Sequence, residues 1–405
     1  MQRRSNLAGF LLIIFLTGAT CMEGMQNVAL PYPQSNLHQQ RGSGEALIKP
    51  VNFSQAQMNW IVVRYYKYWR KNYIKPSRRI KGDYKIAFDR SGTTVSEAMG
   101  YGMLITVLMA GADPEAQNYF DGLDRFRKRY PSDINPAFMA WKIPAGERLA
   151  RNDSATDGDM DMAMALLMAH RQWGEARYLN EARVLIHALA TTLVRPDGSL
   201  RLGDWDTETS GTVLTRTSDF MPTHFQAFRE ATGDEIWAGV ESRCYAILSN
   251  LQKGFAPMTG LVPDFAEFKD GHWRPARPGA LEGPFDGEFS YNACRVPWRI
   301  GWAAEVSGDL EARRILARLM NWVVNHVDEP DDFKAGYYLN GKGLRGANFD
   351  SACFISPTGV AAMSTGQQPW CDQVFEYASN QKEGYYEDSV NLLCLLVMSG
   401  NTWLP

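Results

Sequence analysis

The stretch that decides the fold is ATDGDMDMAMALLMAHRQW, residues 155–173. It opens with small and acidic residues and continues as a mainly apolar run that no proline interrupts. A carboxylate such as Asp157 in the first turn of a helix complements the positive end of the helix dipole. The stretch therefore predicts a helix that begins near Asp157 and carries acidic side chains at its N-terminal end.

Helical periodicity of the same kind recurs along the chain, in twelve amphipathic stretches separated by loops rich in Gly, Pro and Asp. They begin near Ser54, Glu97, Pro114, Asp157, Leu179, Asp219, Asp234, Asn292, Leu310, Pro357, Trp370 and Glu387. No run of alternating strands or of strand–helix units appears, which argues against a parallel α/β fold. Twelve helices in series predict an all-α fold of six helical hairpins closed into a toroid.

The even-numbered predicted helices carry polar residues at or near their first turns: Glu97, Asp157, Asp219 and Asn292. Alternate helices of an up-and-down series run parallel, so these N-termini share one end of the toroid. A single carboxylate at a helix start usually serves as a cap. Several at one end, interleaved with aromatic residues, predict an acidic and aromatic-lined cleft.

Composition describes a folded protein and excludes several classes. The 405 residues are 45% hydrophobic and 12% aromatic, with a formal net charge of -3. The high aromatic content and small net charge exclude a disordered chain. The chain lacks the basic excess typical of nucleic-acid binders, so no nucleic-acid partner is expected. We expect a monomer.

The N-terminus has the pattern of an export signal. Arg3 and Arg4 precede an apolar run over residues 7–16, which small residues follow. This predicts a signal peptide over residues 1–20, an extension or linker over 21–50, and a catalytic domain over 51–405. We expect a secreted protein, extracellular or periplasmic, with no transmembrane span in the mature chain. A lipid anchor at Cys21 is not favoured because Thr20 precedes it.

Five further cysteines are scattered through the chain without a CxxC pair, and they are expected to be mostly buried free thiols, with one bridge left open. The sequence lacks the HExxH, P-loop and GxSxG motifs. Asp157–Asp161 resembles the start of an EF-hand loop, but Met162 and Met168 occupy the positions of the required Gly and Glu. No metal or cofactor is expected.

Paired carboxylates flanked by aromatic side chains favour glycoside hydrolysis. One carboxylic acid protonates the departing oxygen, while a second carboxylate activates water or attacks the sugar. Aromatic faces stack on sugar rings, and only some of the candidates are expected to reach the cleft. The stacking candidates are Trp141, Trp205, Trp298, Tyr101, Tyr385 and Tyr386.

Four blocks of this sequence resemble glycoside hydrolase family 8. They are SEAMGYGM (96–103), FMAWK (138–142), the stretch over 155–173, and YNACRVPWR (291–299), in the order that the family keeps. The resemblance runs from roughly residue 50 to the C-terminus. It implies an (α/α)6 barrel and an inverting endo-β-1,4-glycanase that uses neither metal nor cofactor.

The resemblance also implies roles for individual residues. Glu97 matches the general acid, Asp157 the residue that holds the sugar beside the scissile bond, and Arg295 the residue that supports the catalytic carboxylates. Glu97 must then stay protonated near neutral pH although a helix N-terminus lowers a carboxyl pKa. Burial has to outweigh the dipole.

The sequence departs from the commonest family pattern at the general base. Many members have an Asp where this chain has Asn292, and an amide cannot accept the proton of water. A subfamily of chitosanases and mixed-linkage glucanases shares this Asn and uses a Glu from the preceding loop. Its spacing implies Glu282, with Asp286 and Glu288 as alternatives.

A second departure is Asp219, which stands where many members have a sugar-contacting Tyr. The expected substrate-binding residues are Arg295, Asn292, Tyr101, Trp141, Trp205, Asp219 and Tyr386.

Three functions follow as hypotheses. The first is a secreted, inverting endo-β-1,4-glucanase acting on cellulose-type or mixed-linkage β-glucan. The second is a chitosanase of the same family, because carboxylates in the cleft can pair with ammonium groups. The third is a non-catalytic polysaccharide-binding protein on a decayed glycosidase scaffold, suggested by Asn292 but opposed by the three carboxylates of the preceding loop.

Overall fold

The protein folds as an (α/α)6 barrel, which confirms the all-α prediction. The computed structural model describes residues 48–148, 152–207 and 213–405, so the predicted signal peptide, Cys21 and most of the predicted linker lie outside the described residues. Within these ranges the chain forms twelve α-helices. These are α1 (Gln55–Tyr73), α2 (Ser96–Leu108), α3 (Ala116–Arg129), α4 (Thr156–Trp173), α5 (Ala176–Leu193), α6 (Pro222–Thr232), α7 (Ile236–Phe255), α8 (Val296–Ser307), α9 (Leu310–His326), α10 (Ala352–Thr365), α11 (Gln368–Asn380) and α12 (Tyr385–Met398).

The even-numbered helices form the inner ring. Every residue of α2 except Glu97 is buried, and every residue of α10 except Thr365 is buried as well. The odd-numbered helices keep an exposed face, as α3 and α9 do. The expectation of amphipathic helices is therefore wrong for most of the inner ring, because a helix enclosed on all sides is apolar all round.

Two inner helices begin later than their polar residues suggest. Short 3-10 turns, Thr217–Asp219 and Ala293–Arg295, precede α6 and α8. Each helix then has a proline in its first turn, the only place in a helix where a missing N–H costs little. The predicted starts at Asp219 and Asn292 are corrected to Pro222 and Val296.

Seven short strands, which the sequence did not predict, form three antiparallel sheets in the described ranges. They are β1 (Ile74–Pro76), β2 (Tyr84–Ile86), β3 (Thr94–Val95), β4 (Lys142–Ile143), β5 (Val213–Arg216), β6 (Phe265–Lys269) and β7 (His272–Pro275). The sheets are β1–β2, β3–β4 and β5–β6–β7. Strand β3 leads directly into α2, and β5 ends at Arg216, opposite Phe265.

Glycines let α2 and α4 touch backbone to backbone. A Cβ atom on Gly158 would lie 2.4 Å from the carbonyl carbon of Ser96 and 2.7 Å from the amide nitrogen of Glu97. A Cβ atom on Gly100 would lie 2.7 Å from the Cβ of Asp161. This close approach brings the first turns of the two helices, and hence Glu97 and Asp157, to one place.

The five cysteines in the described part are buried free thiols. Among the described helices, none has the length and apolarity that crossing a membrane requires.

Replacing Gly158 with Ala should destabilise the barrel, since the added methyl group meets rigid backbone atoms of α2. We expect a loss of about 1–3 kcal/mol in the free energy of unfolding, the usual cost of overpacking. Gly239 on α7 is the matched control, because a Cβ atom there meets nothing within 4 Å. Gly239→Ala should stabilise by about 0.5–1 kcal/mol. Chemical denaturation measures both, and equal effects would contradict the close contact.

Candidate active site

A cavity of about 480 Å³ opens at one end of the barrel. It is lined by the N-terminal residues of inner helices and by loops around them. The lining residues are Phe88, Val95, Ser96, Glu97, Trp141, Ala155, Asp157, Arg216, Glu282, Tyr291, Asn292, Arg295, Tyr386 and Glu387. The starts of α2, α4, α8 and α12 therefore share one end of the barrel, where the sequence predicted a cleft.

Arg295 links the polar groups at the floor of this cavity. Its Nη1 donates to Glu97 Oε2 at 3.0 Å, to Asp157 Oδ2 at 2.8 Å and to the Tyr101 hydroxyl at 3.2 Å. Its Nη2 donates to Asn292 Oδ1 at 2.8 Å. Since only 1% of the Arg295 side chain is exposed, these four acceptors replace the hydrogen bonds of water, and the Asp157 carboxylate supplies an opposite charge.

Glu97 is recessed, and burial raises its pKa to about 7. The Arg295 charge opposes this rise and the Asp157 charge adds to it. The Tyr385 hydroxyl donates to Glu97 Oε1 at 3.1 Å, which favours the charged form of the carboxyl. Burial thus outweighs the groups that favour ionisation, as a general acid at this position requires.

Asp157 lies beside Glu97 but has the opposite balance. Burial by itself would raise the pKa of Asp157, yet Arg216 and Arg295 more than offset burial and hold the pKa at about 2. The Glu97 carboxyl therefore still carries its proton in part of the molecules at neutral pH, while the Asp157 carboxyl is ionised. Two carboxyl groups whose environments separate their pKa values are typical of acid–base catalysis.

Glu282 reaches the same cavity from the loop before α8. Asn292 Nδ2 donates to Glu282 Oε2 at 2.9 Å, and Arg216 Nη2 lies 3.4 Å from Glu282 Oε1. Half of the Glu282 side chain remains exposed. The Asn292 amide therefore accepts from Arg295 and donates to Glu282 at once, which a carboxylate cannot do.

The other two loop carboxylates have structural contacts and do not line the cavity. The Asp286 carboxylate accepts the backbone N–H groups of Leu281 and Gly283, at 2.7 and 2.8 Å, and that of Glu282 between them. Glu288 Oε2 accepts the backbone N–H of Leu339 at 2.8 Å. Of the three candidates for the base, Glu282 is the one that the fold presents to the cavity.

The aromatic candidates divide between cavity and core. Trp141, which is 43% exposed, and Tyr386 line the cavity, whereas Trp205 is exposed outside the lining. Only some candidates were expected to reach the cleft, and Trp298 and Tyr101 are among those that do not, since both are fully buried. The predicted contact between Tyr101 and substrate does not match this position. The inner ring encloses both side chains: Trp298 lies against a buried arginine of α8, and Tyr101 accepts a hydrogen bond from Arg295.

Asp219 also lies away from the cavity surface. Its side chain is fully buried, because the turn before α6 directs it beneath Arg216, whose Nη1 lies 3.8 Å from Asp219 Oδ1. Burial raises the pKa of Asp219 to about 7. The expected contact between Asp219 and a sugar does not match this position.

Arg216 is the residue that the sequence analysis missed. It lines the cavity and lies 3.5 Å from Asp157 and 3.4 Å from Glu282. A buried group of carboxylates calls for a cation, but Arg216 stands outside the recognisable blocks. Only the pairing of β5 with β6 brings it there.

Comparison with known proteins identifies the family of the chain. Residues 46–400 match the family model described as glycosyl hydrolases family 8. The chain belongs to this family. A beta-glucanase from Niallia circulans is 41% identical over 92% of this chain and 91% of that protein. An endoglucanase from Bacillus sp. (strain KSM-330) is 35% identical over 96% of this chain and 85% of that protein.

Solved structures of the family share the fold. The apo beta-1,3-1,4-glucanase from Paenibacillus sp. X4 has a TM-score of 0.85 and 41% sequence identity, covering 89% of this chain and 96% of that one. A reducing-end-xylose releasing exo-oligoxylanase has a TM-score of 0.71 at 19% identity, and shows the fold alone. This family 8 protein is a glycoside hydrolase. Its described residues include no group of three or more His, Cys, Asp or Glu side chains that could hold a metal ion.

The pKa of Glu97 predicts the alkaline limb of the activity profile. A general acid must carry its proton, so kcat/KM should be retained below pH 7 and fall about tenfold per unit above it. Tyr385→Phe removes a donor that favours the charged carboxylate. The pKa of Glu97 should then rise, and the alkaline limb should move to higher pH. Hydrolysis rates against pH for both proteins measure this, and a limb displaced to lower pH would contradict the assignment.

Proposed function

We propose that this family 8 enzyme is an exported, inverting endo-β-1,4-glucanase that hydrolyses cellulose-type or mixed-linkage β-glucan, and that it acts as a monomer. One observation carries the proposal. Arg295 contacts the Glu97 carboxyl, whose pKa burial raises to about 7, and through the Asn292 amide it is connected to a second carboxyl group, Glu282, in the same cavity. A proton donor and a proton acceptor in one cavity are what glycoside hydrolysis needs.

In the proposed mechanism Glu97 gives its proton to the glycosidic oxygen as the bond from that oxygen to the anomeric carbon breaks. Glu282 takes a proton from a water molecule, whose oxygen forms the new bond to the anomeric carbon on the opposite face. The configuration therefore inverts. A water molecule fits between the sugar and the base only if the two carboxyl groups are about 6.5–9.5 Å apart. Glu97 and Glu282 make no direct contact in the described hydrogen bonds and are connected through Arg295 and Asn292, which is compatible with such a separation.

Asn292 supports the base instead of acting as one. Its amide donates to Glu282 and is held in turn by Arg295, so the carboxylate of Glu282 has a defined orientation. Asp157, ionised and held by Arg295, is suited to accept hydrogen bonds from sugar hydroxyls. Trp141 and Tyr386, which line the cavity, can stack on sugar rings.

The relatives favour glucan as the substrate. The two curated relatives at 41% and 35% identity are named a beta-glucanase and an endoglucanase, and the Paenibacillus structure is that of a beta-1,3-1,4-glucanase. Export is supported by the charged and apolar pattern at the N-terminus. Chitosan is the second candidate, since Asp157, Glu282 and Glu387 in the cavity lining could pair with ammonium groups.

Assays on lichenan, carboxymethylcellulose and chitosan side by side test the substrate. We expect hydrolysis of the two glucans, with NMR of the early products showing inversion at the anomeric carbon. Glu97→Gln should abolish hydrolysis and keep oligosaccharide binding. A wild-type protein that binds glucan without cleaving it would instead support a non-catalytic polysaccharide-binding protein, and net retention would contradict the mechanism.

Glu282→Gln tests the base. Turnover should fall by about two to four orders of magnitude, the usual contribution of general acid–base catalysis, while fold and substrate binding persist. Added azide should restore activity, because this anion attacks the anomeric carbon in place of water and needs no general base, and an inverted glycosyl azide should form.

Matched variants separate Glu282 from its neighbours. Asp286→Asn and Glu288→Gln should have milder effects, since both side chains contact backbone N–H groups away from the cavity. Asn292→Asp should give no gain, because a carboxylate there would repel Glu282 and lose the donated hydrogen bond. Wild-type turnover by Glu282→Gln on both glucan and chitosan would rule out this base.

A further inference from the structure

Arg216 differs from the neighbouring Arg295 in how its charge is compensated. Arg295 makes hydrogen bonds of 2.8–3.2 Å to its four acceptor side chains. Arg216 Nη atoms lie 3.4 Å from Glu282, 3.5 Å from Asp157 and 3.8 Å from Asp219. These contacts are long for hydrogen bonds, so the guanidinium is held loosely among three carboxylates.

The donors of Arg216 are available to a ligand. The side chain lines the cavity and is 11% exposed. A guanidinium has five N–H donors and no acceptor. Within the described residues, the Nη atoms of Arg216 make one hydrogen bond, to Glu282 at 3.4 Å. A substrate in the cavity therefore meets a positive charge with unsatisfied donors.

A positive charge with unsatisfied donors interacts differently with two kinds of sugar. A glucose hydroxyl has lone pairs and can accept a hydrogen bond from Arg216, whereas the ammonium of a glucosamine unit is a donor only. An ammonium beside Arg216 would place donor against donor and charge against like charge, a juxtaposition that suppresses binding of wrong partners at interfaces.

Arg216 also shields the carboxylates that would attract an ammonium. Asp157 is held by both Arg295 and Arg216, and Glu282 lies against Arg216. Arg216 thus attracts hydroxyls and repels cations. Binding specificity generally combines an attractive and a repulsive element of this kind.

We propose that Arg216 makes the cavity selective for neutral glucose units over glucosamine units that carry an ammonium. The inference rests on the proposed function and adds to it the residue that determines substrate class.

The experiment compares kcat/KM on lichenan and on chitosan for three single variants. Arg216→Gln removes the charge and adds an acceptor, so the lichenan-to-chitosan ratio should fall at least about tenfold. Arg216→Lys keeps the charge but loses the planar fork, so both rates should fall while the ratio stays near that of the wild type.

Arg171→Gln is the matched control. Arg171 is exposed fourteen positions after Asp157 on α4, about 21 Å along the helix axis. The substitution Arg171→Gln removes the same charge from the opposite end of the barrel, so the lichenan-to-chitosan ratio should not change. An equal shift in Arg171→Gln would overturn the inference, because net charge alone would then explain the preference.

Binding measured without turnover gives an independent readout. In a Glu97→Gln background, calorimetry with cello- and chito-oligosaccharides should show Arg216→Gln raising relative affinity for the amino sugar by about tenfold. Because Arg216→Gln leaves the Asp219 carboxyl beneath it without this cation, Arg216→Gln/Asp219→Asn removes both and should give the same shift if the single variant folds poorly.

Unchanged lichenan-to-chitosan ratios in both the single and the double variant would overturn the inference, as would a wild type that prefers chitosan. A wild type that cleaves neither polymer would overturn the proposed function instead. The binding comparison would then still decide the role of Arg216.

Discussion

The buried guanidinium of Arg295 is the interaction on which the rest of the site depends. A charge enclosed by protein is tolerated only when its donors meet acceptors, and removing a partner of such a group is costly. Its acceptors Glu97, Asp157 and Asn292 come from α2, α4 and the turn before α8. Satisfying one cation thus requires three separate segments to meet, and their meeting creates the site.

The barrel keeps this arrangement aligned through a second ion pair below the first. Asp161 of α4 and Arg299 of α8 each lie four residues after a member of the first pair, Asp157 and Arg295, and they form two hydrogen bonds of 2.7 and 2.6 Å. His224 of α6 adds a contact of 2.8 Å to Asp161. Because residues four apart lie on one face of a helix, the two ion pairs act at the same interface and restrain rotation and sliding of α4 against α8.

The opposite side of the cavity is built from loops. Asp264 Oδ1 accepts the backbone N–H groups of Asn292 and Ala293, at 3.1 and 2.6 Å, and so holds the turn that carries the Asn292 amide. Asp286 holds the loop that carries Glu282 in the same manner. The proposed acid, Glu97, is thus positioned by the start of a helix. The proposed base, Glu282, is positioned by loops whose backbone N–H groups bind buried carboxylates.

Sequence alone determined the number of helices, the shared end of the inner ring and the placing of Glu97 and Asp157 at helix starts, because periodicity and first-turn chemistry are local properties. Tertiary structure decided which loop carboxylate faces the cavity and that Tyr101, Trp298 and Asp219 are buried. It also decided that Arg216 lines the cavity. These depend on contacts between residues far apart in the chain, such as the pairing of β5 with β6. The difference between the pKa values of Glu97 and Asp157 also depends on tertiary structure, because the burial and the neighbouring charges that cause it exist only in the closed barrel.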